Sequence, residues 1–215
     1  MQEAKTRFGM MLIPNIFFGP HAGALYGKYD LLNELKAYKV RPASNELPYK
    51  FETGTQNHEG IAGVLGALEY LQWLGTQFGA EQESVWKEAG FTGRKLELKK
   101  GMSAMHAYES ELSKALIKIV ESVPGTHIYG ITDMDRLEER VPTVSFTVEG
   151  KDPERIADEL GNQGIYVWNG HNYALAIVER LRLLEAGGMI RVGPVHYNTL
   201  EELNRFQEVL MHIVA

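Results

Sequence analysis

The feature of this chain that most restricts its fold is a change in the period of its apolar residues at Pro124-Gly125. Ahead of that pair, Ile61, Val64, Leu65, Leu68, Leu71, Trp73 and Leu74 recur at close to helical spacing, which predicts a helix over 58–78. Asn57 is placed to cap its start, and Gly75 and Gly79 to end it. A polar stretch, 80–101, then connects to a second predicted helix, 103–123. Behind the pair the period becomes two: Val144, Phe146 and Val148 alternate with Thr143, Ser145 and Thr147, the signature of a strand with one buried face. Residues 127–131, the IYVW run after Gly164 and the MIRVG run after Gly187-Gly188 read as further strands. Asp152-Pro153-Glu154 opens a helix to Leu160, with Asp152 as cap and Pro153 in the first helical position. A helix over 173–184 and a last one over 200–214, capped by Asn198 or Thr199, complete the series. The chain is therefore expected to be α/β, becoming a small α+β unit after Pro124-Gly125, with an antiparallel or mixed sheet covered by helices.

Nearer the start, 17–26 is apolar and punctuated by Gly19, Pro20 and Gly23, which predicts a turn feeding a short buried strand. A short helix over 30–38 follows. Residues 41–57 hold Pro, Asn, Gly and Thr with no sustained period, and are expected to form a loop. The 80s are the candidate domain boundary.

Composition excludes several functions. With 215 residues, 44% hydrophobic and 23% charged, the chain falls in the globular range. A net charge of −6 with dispersed Lys and Arg leaves no footprint for nucleic acid. The absence of cysteine rules out disulfides, thiolate metal sites and a cysteine nucleophile. Seven histidines without HxxxH or HExxH spacing make no metal site. No apolar run approaches the roughly 20 residues that span a bilayer, and no cleavage site follows the N-terminal stretch, so a cytoplasmic protein is expected.

Three segments could carry chemistry. In FETGTQNHEG, 51–60, Thr53, Thr55 and Gln56 surround Gly54 just ahead of a helix start, where an anion such as phosphate could be held; a polar capping loop accounts for the same residues. In MIRVGPVHYNT, 189–199, Arg191 stands alone in an apolar strand and needs a partner. That partner could be a ligand carboxylate or phosphate, or an internal glutamate. In WNGHNY, 168–173, His171 and Asn172 lie in a Gly-containing turn between strand and helix, as site residues or as a capping turn. His21, in GPHAG, is equally open.

In this order and spacing, FFGPHAGALYG, FETGTQNHEG and IRVGPVHYNT resemble the class V branch of the fold-type I pyridoxal-phosphate enzymes, most closely its cysteine desulfurase-like members. The likeness runs from about Phe17 to the end. It implies that 17–80 is a remnant of the cofactor-binding large domain, 81–100 a connector and 101–215 the small C-terminal α+β domain, with 1–16 an unrelated leader. By resemblance, Thr55, with Gln56 beside it, would reach the phosphate of pyridoxal phosphate, commonly that of a neighbouring subunit. Arg191 would grip the α-carboxylate of an amino-acid substrate, with His171 and Asn172 nearby.

Two positions depart from the family. Its Schiff-base lysine stands just before the FFGPH-type segment, where this chain has Ile16, leaving no catalytic residue and no covalent link to the cofactor. Where desulfurases carry a cysteine, this chain has Gly170-His171-Asn172-Tyr173-Ala174. The family's ring-stacking residue and pyridine-nitrogen aspartate have no counterpart in 1–16. The expectation is a C-terminal part of such an enzyme, inactive alone and not necessarily holding the cofactor unaided. The alternatives are one half of a split enzyme or a ligand-binding regulatory module; the implied partners are a second copy or a separate N-terminal half.

Overall fold

The computed structural model describes residues 8–12, 23–52 and 54–215, with side chains from residue 26 onward. Ile16, His21 and Thr53 lie outside the described residues. The chain divides into two compact units, Met1–Gly101 and Met102–Ala215.

The first unit opens with strands β1 (Phe8–Leu12) and β2 (Gly23–Gly27), paired antiparallel so that Phe8 faces Gly27 and Leu12 faces Gly23. β1 falls in the stretch expected to be a leader. Helix α1 (Tyr29–Glu34) is shorter than the expected 30–38. Helix α2 (His58–Phe78) is capped as anticipated, with Asn57 Oδ1 accepting from the Gly60 amide at 2.9 Å. Helix α3 (Glu83–Glu88) and the first turns of α4 (Gly93–Ser122) replace the expected polar connector.

The glycines explain why α4 begins well before residue 103. A Cβ on Gly75 would lie 1.9 Å from the Glu97 carbonyl oxygen, and one on Gly101 would lie 2.2 Å from that of Leu71. Neither glycine ends a helix. Each lies inside one, at a point where the α2 and α4 backbones nearly touch, with Leu71, Leu74 and Leu96 buried around them.

Lys100, one turn along, is buried, and its ammonium donates to Glu83 Oε2 at 3.0 Å and Glu97 Oε1 at 3.1 Å. Hydrogen bonds from Lys87 and Lys100, reinforced by their charge, pull the Glu83 carboxyl down from the ordinary 4.5 to about 2. The bond to Glu83 raises the Lys100 ammonium, against the opposing effect of burial. The contribution of Glu83 is thus complete above its ordinary value and is lost as pH falls towards its folded value; that of Lys100 is complete below its ordinary value and is lost as pH rises past its raised one. Stability is expected to decline below about pH 4.5, and Glu83→Gln to flatten that decline. Melting temperatures of both proteins between about pH 2 and pH 7 check this; parallel curves would remove Glu83 as a source.

The second unit is built on four strands, β3 (Thr126–Tyr129), β4 (Val144–Val148), β5 (Trp168–Gly170) and β6 (Met189–Val192), in the order β3-β4-β6-β5. All three neighbouring pairs are antiparallel. Val144, Phe146, Val148 and Ile190 face inward with Ile128 and Val192. They pack with Leu112, Leu116, Ile117 and Val120 of α4, Ile156 and Leu160 of α5 (Pro153–Asn162) and Leu203, Phe206 and Leu210 of α7 (Leu200–Val214). Asp152 Oδ1 caps α5 by accepting from Glu154 N at 3.0 Å. Thr199 rather than Asn198 caps α7, through a reciprocal pair with Glu202.

Two elements differ from expectation. The strand expected over 165–168 is displaced to β5 and shares only Trp168 with it, and α6 (Leu175–Arg180) occupies the middle of the predicted 173–184. Asn172 and Tyr173, at φ +51° and +59°, precede α6, and Arg182 at +60° follows it; left-handed backbone is incompatible with a helix on either side. The chain is α/β overall, with an α+β second unit. Among the described residues no helix is long and apolar enough to cross a membrane.

Candidate functional site

Strand register assembles the most distinctive surface of the second unit. Tyr129 pairs with Ser145, Ser145 with Arg191, and Arg191 with Trp168. Directly opposed residues share a sheet face, so these four form one row across all four strands, on the side away from the core. One pleat along, His127 pairs with Thr147 and Met189 with Gly170. The His127 and Tyr129 rings meet edge to face at 4.6 Å, and the Tyr129 hydroxyl lies 3.2 Å from that of Thr147.

Arg191 is half-buried, yet among the described residues it makes no ion pair. Its guanidinium carbon lies 5.5 Å over the Trp168 ring instead. The internal glutamate that sequence allowed as its partner is absent among these residues. An indole face attracts the cation without occupying its N–H donors.

Thr55 is exposed and Gln56 half-buried, and neither side chain makes a hydrogen bond among the described residues. The helix start beside them is partly spent: Asn57 Oδ1 takes the Gly60 amide, the Gln56 carbonyl takes that of His58 at 3.0 Å, and Glu59 places a carboxylate in the first turn. That arrangement weakens the anion-holding capacity expected of the segment, because an incoming phosphate meets a like charge.

His171 and Asn172 shape their own turn. His171 Nδ1 accepts from the Tyr173 amide at 3.2 Å, and Asn172 Nδ2 donates to the Gly170 carbonyl at 3.2 Å. Asn172 Oδ1 is buried with no partner among the described residues, and Tyr173 stands 91% exposed at the tip. Gly188 lets its backbone close on this turn, since a Cβ there would lie 2.3 Å from the Gly170 carbonyl.

The sequence reading missed a clamp between α4 and the segment that follows β6. Glu109 Oε1 on α4 accepts from the His196 amide at 3.2 Å and sits 3.3 Å from its Nδ1, with both side chains largely buried. Tyr108 donates to the Asn198 carbonyl at 2.9 Å. Residues 87 and 90 positions apart give no local signal that could have pointed to it.

A pyridoxal cofactor linked to protein needs a lysine that can lose its proton. Lys100 is the buried lysine among the described residues, and its two carboxylate partners hold it protonated. Among the described residues the Thr55 hydroxyl, in the first unit, and the Arg191 guanidinium, in the second, are each unclaimed by a side-chain partner, and neither can supply the covalent link.

The family described as Aminotransferase class-V matches residues 92–206, just over half of the chain. A cysteine desulfurase of Synechococcus elongatus is 28% identical, over 91% of this chain and 28% of its own. The aminotransferase-like protein FGM3 of Gibberella zeae is also 28% identical, over 87% of this chain and 41% of its own. Among solved structures, the apo cysteine desulfurase of Thermococcus onnurineus NA1 superposes with a TM-score of 0.72 at 22% identity, covering 97% of this chain and 47% of that one. The cysteine desulfurase CsdA of Escherichia coli gives 0.63 at 19% identity, over 93% and 45%. At such identities these structures speak to the fold alone. The chain spans less than half the length of each of these relatives.

Proposed function

We propose, from the premise that the chain belongs to the aminotransferase class-V family, that it is the amino-acid-binding C-terminal part of a pyridoxal-phosphate-dependent, cysteine desulfurase-like enzyme and is not catalytic by itself. The observation that carries this is the state of Arg191, a half-buried guanidinium held by an aromatic face with its donors unclaimed by any described carboxylate. A substrate α-carboxylate is the planar, bidentate acceptor such a group fits.

Arg191 would bind and orient the carboxylate, with His171 and Asn172 bordering it. Thr55 and Gln56 would meet the cofactor phosphate. When bound, pyridoxal phosphate supplies the electron sink for chemistry at the amino-acid α-carbon. With Ile16 at the position that the resemblance gives to the family's lysine and no cysteine in the chain, the family's own covalent cofactor link and persulfide would have no residue to form on.

A second arrangement places the lysine on a partner, either another copy or a separate N-terminal half. It is favoured by α2, where Ile61, Leu65, Leu68, Trp73 and Phe78 are exposed while Leu71 and Leu74 are buried. Exposed apolar helix faces of this extent suit a partner. The cytoplasm suits a chain without cysteine.

The test is the absorbance spectrum of the full chain after incubation with pyridoxal phosphate and removal of excess, with and without borohydride. No retained aldimine band is expected. A band that borohydride fixes onto a specific lysine would overturn the claim that the chain is not catalytic alone. In parallel, Arg191→Lys is expected to weaken amino-acid binding about tenfold by calorimetry, since a lysine cannot reproduce the bidentate fork; unchanged affinity would remove Arg191 from the site.

A further inference from the structure

We infer that Trp168 is the positioning residue for Arg191 and that it restricts the ligand to carboxylates with an apolar or aromatic side chain. This rests on Arg191 being the carboxylate grip. Trp168 lies directly across the β5–β6 pair from Arg191, and its ring carries the guanidinium at 5.5 Å. A carboxylate in that position would consume the N–H donors that a ligand needs, whereas the indole face consumes none. Trp168 is nevertheless 54% exposed on the outermost strand, so a second part of its ring surface remains open beside the bound carboxylate.

The rest of the sheet face decides the ligand class. Its members are His127, Tyr129, Ser145, Thr147, Trp168, Gly170, Met189 and Arg191, so it has one permanent charge and no carboxylate. An ammonium on the ligand side chain finds no counter-ion among these residues, and a second carboxylate must share Arg191 or go unpaired, which is costly against aromatic surface. An apolar or aromatic side chain covers the open part of Trp168 and gains from it.

The experiment is calorimetric titration of the full chain with phenylalanine, alanine, glutamate and lysine at fixed ionic strength. It is repeated for Trp168→Leu, Trp168→Phe and Arg191→Lys. Phenylalanine is expected to bind about fivefold more tightly than glutamate or lysine. Trp168→Leu should weaken phenylalanine about fivefold and erase the preference, because both the guanidinium support and the ring contact go. Trp168→Phe should restore most of each. Arg191→Lys should weaken all four ligands while leaving their order intact. An unchanged melting temperature of Trp168→Leu would separate these effects from unfolding, and circular dichroism of any less stable variant would show whether it is folded at the titration temperature. Binding that depends on Arg191 but shows no preference and ignores Trp168→Leu would overturn the inference and leave the carboxylate grip standing. Binding indifferent to Arg191→Lys, or no binding of any ligand, would overturn both.

Discussion

Gly101→Ala is expected to destabilise the protein by about 3 kcal/mol, the upper range for overpacking a tight interior. The sign is the informative part. Alanine is a better helix former than glycine by about 1 kcal/mol, so a glycine that merely sat inside α4 would give a more stable variant. The added methyl would instead lie 2.2 Å from the Leu71 carbonyl oxygen, a backbone atom that cannot rotate away. Gly75→Ala meets the Glu97 carbonyl at 1.9 Å and should behave alike. Because either methyl forces the same two helices apart, the double variant should lose less than the sum of the single losses. Urea denaturation of the three variants checks both points; a stabilised Gly101→Ala would mean that α2 and α4 do not approach as described.

Phe146→Ala should cost about 4 kcal/mol, as large aromatic truncations in closed cores do. Phe146 is fully buried, faces Ile128 on one neighbouring strand and Ile190 on the other, and belongs to the cluster formed with α4, α5 and α7. Phe146→Leu keeps most of the apolar volume and should cost less than about 1.5 kcal/mol. A shift of the urea midpoint for alanine no larger than for leucine would place the ring outside the core. The two flanking residues, Ser145 and Thr147, point to the Arg191 face. The alanine variant should therefore also loosen carboxylate binding, whereas Phe146→Leu should not.

What the sequence made legible was what its local chemistry could encode. The helix over 58–78, the Asp152 cap with Pro153 behind it and the alternation through 143–148 all rest on neighbours a few residues apart. Each appears in the structure with its bounds nearly intact. The misread features depend on distance. Gly75 looks like punctuation until Glu97 arrives against it, and the same holds for Gly101 and Leu71. The stretch after Ala80 looks polar because Lys100, Glu83 and Glu97 satisfy one another only once folded. At the candidate site, the need of Arg191 for a partner was readable from its apolar surroundings. That the partner is Trp168 required the β5–β6 register. Left-handed Asn172 and Tyr173 carried the Gly170 turn two residues further than the sequence marked it, which delayed the start of α6.

The two outer strands of the second unit's sheet are four and three residues long, and β5 ends at Gly170 with φ +95°. A newcomer strand adding to either side could form only a brief ladder before the template stopped or turned away. Crowded copies of this chain thus gain little by stacking edge to edge, and growth into fibrils through this sheet is discouraged by its margins rather than by surface charge.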